Sequence, residues 1–456
     1  MGNNDGNILK VRDDHDYIVL VGNKDSNNFT IETNQTLNWC ADKLCSKNDL
    51  RSRIEPWLTS LFQSEHLSLL IGSGLTTAIQ YAACGSADNG MNNGFDFSYF
   101  SEEIEKAARD SANKAGRKIV NIEDRVRVAN EVIKGLTILH ENDDLLEITP
   151  KLKSLQNDLE RMIKEFSNNI STIEASIANA NYKEREEAFN KLVLFLMSFA
   201  SRAGTRDRLN IFTTNYDRLI EAGADVAGLR LIDRFVGALS PVFRSSRMDI
   251  DMHYNPPGIR GEPRYLEGVA RFTKLHGSLD WISIGEEIRR IGLPFGAKSM
   301  QPFLEVAGIN TNYSSLMIYP NSAKDRETAE YPYVELFRDF AAALCRPNST
   351  LVIYGYSFGD DHINRVIKDM LMIPSTHLVI MAYSDSSGRI MDKYNSWGHK
   401  SQMTLIIGND IANIDDLVDY YLPKPSIDRA SVRMADILKQ RFNQQSQNVQ
   451  LGDTES

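Results

Sequence analysis

A histidine beside a glycine, His276-Gly277, follows a short strand-like run, Phe272-Thr273-Lys274-Leu275. Imidazole titrates near neutral pH, so a histidine placed there against a crevice could act as a general base. A second segment, Thr213-Thr214-Asn215-Tyr216-Asp217, ends another such run, Leu209 to Thr214. Its asparagine and aspartate, two apart, carry the donors and acceptors to bind an amide and a ribose hydroxyl. A third, Gly72-Ser73-Gly74-Leu75-Thr76, closes the apolar run Leu67-Ser68-Leu69-Leu70-Ile71 and opens a helical stretch, Leu75 to Cys84. Glycines admit close backbone approach, and the N–H groups and dipole of a helix N-terminus suit a pyrophosphate. A fourth, Tyr354-Gly355-Tyr356-Ser357-Phe358-Gly359-Asp360-Asp361-His362, is a further glycine turn before a helix. Taken singly, each has an ordinary structural alternative. The glycines suit any strand-to-helix turn, Asn215 or Thr214 could cap a helix at Arg218-Leu219-Ile220, and His276 could be a satisfied core residue.

These segments sit at the ends of apolar runs that recur along the chain. Thr350 to Gly355, Leu378 to Tyr383 and Met403 to Ile407 are further examples, mostly separated by helical patterns such as Ile363 to Met372. Short continuous apolar runs fit strands buried on both faces. Their alternation with helices predicts an α/β fold, a Rossmann-like doubly wound parallel sheet, whose ligands bind at the carboxyl ends of the strands. From Asp96 to Arg206 no strand pattern occurs. There Leu152, Leu155, Leu159, Met162, Ile163 and Phe166 recur at helical spacing, so the segment reads as a large helical insertion packed as core and not as a long coiled coil. Residues 1–62 form a mixed segment with strands at Tyr17–Gly22 and Phe29–Ile31. A helix is expected from Thr36 to Leu61, with Leu37, Cys40, Leu44 and Leu50 as core contacts. That piece carries no evident chemistry and reads as a cap or an oligomerisation arm. The expected organisation is an α/β domain of residues 63–95 and 207–425, interrupted by the insertion at 96–206. A C-terminal helix and disordered tail would occupy 426–456.

With 456 residues, 42% hydrophobic and 25% charged, the chain has ordinary globular composition and about three units' worth of length. It is neither a disordered chain nor a disulfide scaffold. Its net charge, 51 − 61 = −10, argues against a protein that coats nucleic acid, though a local basic groove or a nucleic-acid trigger stays open. The longest apolar stretch, Leu192 to Ala200, falls far short of the roughly 20 residues of a membrane helix. The N-terminus has neither a secretory nor a myristoylation pattern, so a cytoplasmic protein is expected. Four cysteines, Cys40, Cys45, Cys84 and Cys345, form no Cys-x-x-Cys pair, the usual spacing of a structural zinc site.

In this order the four segments resemble the sirtuin superfamily, over roughly residues 65–410 without the insertion. Gly72-Ser73-Gly74 stands for its phosphate loop and Thr213-Thr214-Asn215-Tyr216-Asp217 for its Thr-Gln-Asn-Ile-Asp motif. His276-Gly277 stands for its catalytic histidine, and Gly355-Tyr356-Ser357 for its later Gly-Ser turn. The departures are informative. Two Cys-x-x-Cys pairs are missing, Thr214 replaces a glutamine, and Ile79-Gln80-Tyr81-Ala82-Ala83 replaces the Pro-Asp-Phe-Arg segment of deacetylases. They resemble instead the sirtuin-like NADases of bacterial anti-phage systems, most similar to the sirtuin subunit that works with a HerA-type ATPase.

The resemblance implies hydrolysis of NAD+, held as substrate without zinc, to nicotinamide and ADP-ribose. In a cell this would defend by NAD depletion, an abortive infection. Asn215, His276 and Asp217 would be catalytic: His276 as base toward water or a ribose hydroxyl, Asn215 positioning ribose and water, Asp217 seating nicotinamide. Gly72, Ser73, Gly74 and Thr76 would cradle the pyrophosphate. Thr213, Thr214 and Gly277 would line the site, while Gly355, Tyr356 and Ser357 would meet the adenosine side. A homo-oligomer docked on a HerA-type ATPase is the implied assembly. Two alternatives remain at this level: an NAD or ADP-ribose sensor without turnover, and a zinc-free deacylase or ADP-ribosyltransferase.

Overall fold

The computed structural model describes residues 6–424 apart from 13, 23–27, 33–36, 38, 41–42, 88–93, 115–119, 143–147, 202–206, 255–263, 306–308, 310 and 318–330. The C-terminal helix and tail expected in 426–456, and the start of the helix expected at Thr36, lie outside the described residues.

The protein has a Rossmann-like α/β fold. Among the described residues its main sheet has seven parallel strands, β5 (His66–Ile71), β6 (Asn210–Thr213), β7 (Arg230–Ile232), β8 (Val269–Lys274), β9 (Ser349–Tyr354), β10 (His377–Ala382) and β11 (Met403–Ile407). Every residue of β6, β9 and β11 is buried, as strands covered on both faces require. Four short antiparallel strands extend one edge: β1 (Asn7–Lys10), β2 (Ile18–Gly22), β3 (Asn28–Glu32) and β4 (Leu44–Ser46). The sheet order is β4-β3-β2-β1-β11-β10-β9-β5-β6-β8-β7. The mixed N-terminal segment is therefore part of the main sheet.

Helices cover both faces. One core lies under α1 (Lys47–Phe62), α2 (Ser73–Cys84), α6 (Tyr182–Ala200) and α7 (Leu219–Ala227). The other lies under α8 (Tyr333–Leu344), α9 (Asp361–Leu371) and α10 (Arg389–Ser396). Within the insertion α3 (Ser101–Lys114), α4 (Ile122–Asn142) and α5 (Ile148–Ala178) close a core of their own, through Ile104, Ala108, Val126, Ala129, Leu155 and Met162. The far end of α5 leaves that core. Phe166 and Ile170 pack there with Tyr216, Leu279 and Ile282, so the insertion rests on the strand ends.

The helix expected from Thr36 begins only at Lys47. Ser46 caps it in a reciprocal box with Asp49, and the residues just before it pair with β3. Leu44, expected in the core, is consequently on an edge strand and 57% exposed. A cap two residues beyond an apolar residue outweighed the apolar periodicity.

At the opposite end of the sheet from the motifs, burial pulls the His377 imidazole down to about 4, with Lys10 acting in the same sense. Its Nε2 lies 2.9 Å from Thr404 Oγ1, and Trp57 meets the ring edge-on. The unfolded chain binds this proton near pH 6.5 while the folded one refuses it down to about 4, so stability falls as pH drops through that window. About 2 kcal/mol should be lost between pH 7 and pH 5 at this site. Urea midpoints at the two pH values would then differ less in His377→Gln than in the wild type. Equal differences would exclude His377 as the source.

Candidate functional site

The register of the sheet brings the motif-bearing strand ends level. Ile71 is paired with Thr213 on one side and with Tyr354 on the other, and Thr213 with Lys274. The chain leaves β5 toward β6 on one side and returns to β9 on the other, so the crevice at β5 is the topological switch point of the sheet. That is where open α/β sheets bind ligands.

Gly72 is the N-cap of α2, and Ser73 and Gly74 form its first turn instead of a loop ahead of it. The glycines have a tighter cause than ligand approach. A Cβ on Gly72 would lie 2.4 Å from Gly355 O, and one on Gly74 would lie 2.6 Å from Gly355 Cα. Gly355 itself has φ 66°, and a Cβ on it would lie 2.7 Å from Gly74 Cα. The two glycine turns are thus pressed against each other, joined by Gly74 N–H donating to Gly355 O at 3.0 Å. Either turn would have to move to admit a side chain on the other. Ser73 is exposed on the rim.

Asn215 is 7% exposed and fixed by both amide hydrogens. Nδ2 donates to Gly72 O at 3.0 Å and to Thr76 Oγ1 at 3.1 Å. Because Gly72 O can only accept, the amide orientation is determined, leaving Oδ1 as an acceptor for a ligand. Thr76 passes its own proton to Asp217 Oδ2 at 2.7 Å. Asp217 Oδ1 accepts from Leu219 N at 3.1 Å, at the start of α7. Asp217, expected to seat nicotinamide, thus links α2 to α7 through its two carboxylate oxygens. Thr213, expected to line the site, is fully buried and bridges β5 to its own loop: its Oγ1 donates to Ile71 O and accepts from Asn215 N. Thr214 N donates to Ile71 O at 3.2 Å.

His276 is 7% exposed, with Nε2 3.0 Å from Asp360 Oδ2. Gly277 follows at φ 85°, where a Cβ would lie 2.2 Å from Met317 O. Tyr356, expected on the adenosine side, turns its ring into the second core against Phe358. Its hydroxyl donates to Asp360 O and accepts from Asp360 N, each at 3.2 Å, so it holds the turn and leaves the exposed Ser357 outward.

Residues 209–401 match the SIR2-like domain family. This stretch contains Asn215, Asp217, His276 and the second glycine turn, whereas Gly72, Ser73, Gly74 and Thr76 precede it. No curated protein matches the chain. The SIR2-like match suggests NAD-related, sirtuin-like activity. Among the described residues no group of three or more His, Cys, Asp or Glu is placed to hold a metal ion, and no helix is long and apolar enough to cross a membrane.

Several supporting residues had no signal of their own in the sequence. Lys274, 1% exposed at the end of β8, donates to Asp217 O at 2.5 Å and Tyr216 O at 3.3 Å, and pairs with Glu221 at 3.0 Å. The insertion supplies two more. Glu123 of α4 accepts from Tyr216 Oη at 2.8 Å, and Glu174 of α5 accepts from the backbone and guanidinium of Arg218. Burial, with Glu123 alongside, pushes the Tyr216 hydroxyl far above its ordinary range and keeps it a donor. The segment from Asn215 to Arg218 is thus gripped from the sheet below and from two insertion helices above.

Proposed function

We propose that the protein is an NAD+ glycohydrolase that cleaves the nicotinamide–ribose bond with water as acceptor. The observation that carries this reading is the pairing of Asn215 with His276 at adjacent strand ends, β6 and β8, beside the switch point. The bond joins ribose to a cationic pyridinium, so nicotinamide leaves as a neutral molecule and needs no acid. The site has to stabilise an oxocarbenium-like ribose and direct water onto it. Asn215 Oδ1 and the imidazole of His276 are the groups suited to orient that water and take its proton. The N-terminus of α2 and the paired glycine turns would receive the pyrophosphate.

The resemblance to anti-phage NADases extends the proposal to defence by NAD depletion, as a homo-oligomer on a HerA-type ATPase. Incubating the protein with NAD alone, and then with an acylated peptide, tests the chemistry by nicotinamide release. Release without an acceptor is the expected result. Release only with the peptide would replace hydrolysis by deacylation, and binding without release would leave a sensor. Running both arms with and without a co-purified ATPase tests the assembly.

A further inference from the structure

We propose that Asp360 fixes the tautomer of His276, so that Nδ1, and not Nε2, is the atom that accepts the proton during NAD cleavage. This rests on the hydrolytic reading above. Asp360 lies 84 residues from His276 in the chain, at the N-cap of α9, and divides its carboxylate between two tasks. Oδ1 accepts from His362 N at 2.8 Å and Ile363 N at 3.4 Å, capping the helix. Oδ2 meets His276 Nε2 at 3.0 Å. A carboxylate can only accept, so in the neutral imidazole the proton sits on Nε2 and the lone pair on Nδ1. No group among the described residues hydrogen-bonds to Nδ1.

The carboxylate is itself held firmly. Asp360 is 6% exposed, and its backbone is tied on both sides to the Tyr356 hydroxyl, which also contacts Asn364 Oδ1 at 3.3 Å. The core position of Tyr356 thus has a use in the site: it sets the residue that sets the base. Among the described residues Asn215 leaves Oδ1 unbonded at the neighbouring strand end, so two acceptors, an amide oxygen and Nδ1, stand at adjacent strand ends. In the step itself the C1′–N bond breaks and its electron pair goes to the pyridinium nitrogen. The water oxygen bonds to C1′ while its proton passes to Nδ1. Nicotinamide, ADP-ribose and an imidazolium result, and the imidazolium returns its proton to solvent. Asp360 touches no reacting atom and is a positioning residue.

Two measurements test this. Histidine-selective 15N spectra at pH 8, with the His276 signal identified by its loss in His276→Ala, should show Nε2 protonated and Nδ1 bare. A proton on Nδ1 overturns the proposal, and this readout needs no turnover. Asp360→Asn keeps a good helix cap but can turn a donor toward Nε2, favouring the other tautomer. It should lower kcat about 100-fold or more while KM for NAD stays within about threefold and thermal stability is nearly unchanged. Retention of wild-type kcat would equally overturn the proposal. If the wild type releases no nicotinamide in any form, the hydrolytic reading fails, while the spectrum still decides the tautomer.

Discussion

Asn215→Ala is expected to lower NAD cleavage about 1000-fold, the upper part of the range for removing one fixed dipole from a charge-developing site. The geometry makes the loss larger than that of a single contact. With both amide hydrogens committed to Gly72 O and Thr76 Oγ1, the side chain delivers Oδ1 without further ordering. Its removal also takes one donor from the carbonyl of Gly72, the N-cap of α2, which keeps its bond from Leu75 N. His276→Ala should cost about 100- to 10,000-fold by loss of the base. The two losses should not add, because both act on one water. Nicotinamide release measured at saturating NAD for each single variant and for the double variant checks this. Asn215→Asp is the informative control: it preserves size but places an acceptor against Gly72 O, so it should be as inactive as alanine. Wild-type release by either single variant would remove the pair from the mechanism. Each hydrogen bond lost from Asn215 should weaken the fold by only about 1 kcal/mol, so the variants remain folded for assay.

The parts of this site that were legible in the sequence are those encoded locally. Strands buried on both faces read as near-continuous apolar runs, so β5, β9, β10 and β11 stand out, and the polar residues that follow β5 and β9 mark the crevice. Interactions across long separations leave no local trace. In the sequence Asp360 is one polar residue of a glycine turn, Glu174 one acid within the helical insertion, and Lys274 a charge inside a strand-like run. Only the fold shows that the first meets His276, the second Arg218, and the third the carbonyls of Tyr216 and Asp217. The glycine turns illustrate the same point. Their composition suggested room for a phosphate, yet Gly72 and Gly74 are needed first by Gly355, far along the chain. Tyr356 and Asp217, read as ligand contacts from their place in a motif, also carry hydrogen bonds within the fold that no local pattern announces.

Glu174→Ala should be strongly destabilising although Glu174 lies outside the sheet. Glu174 is 1% exposed and Arg218 6%; Oε1 accepts from Arg218 N at 2.7 Å and from Nε at 3.2 Å, while Oε2 meets Nη2. Alanine would leave a buried guanidinium without its carboxylate, a loss of about 3–5 kcal/mol. The cost falls at a functional junction, because Arg218 directly follows Asp217 and also donates to Leu293 O and Pro294 O. The insertion therefore carries the Asn215 loop as well as shielding it, and movement of α5 should be felt in catalysis. Glu174→Ala, Arg218→Met and the double variant form a cycle that isolates this coupling. Urea midpoints should fall strongly in each single variant, and the double variant should be clearly more stable than their sum. Simple additivity would mean that the ion pair does not tie the insertion to the site. The same cycle read by nicotinamide release, at a temperature where all variants are folded, distinguishes a brace from a mere support. A brace lowers kcat in proportion to the coupling, whereas a support leaves it unchanged.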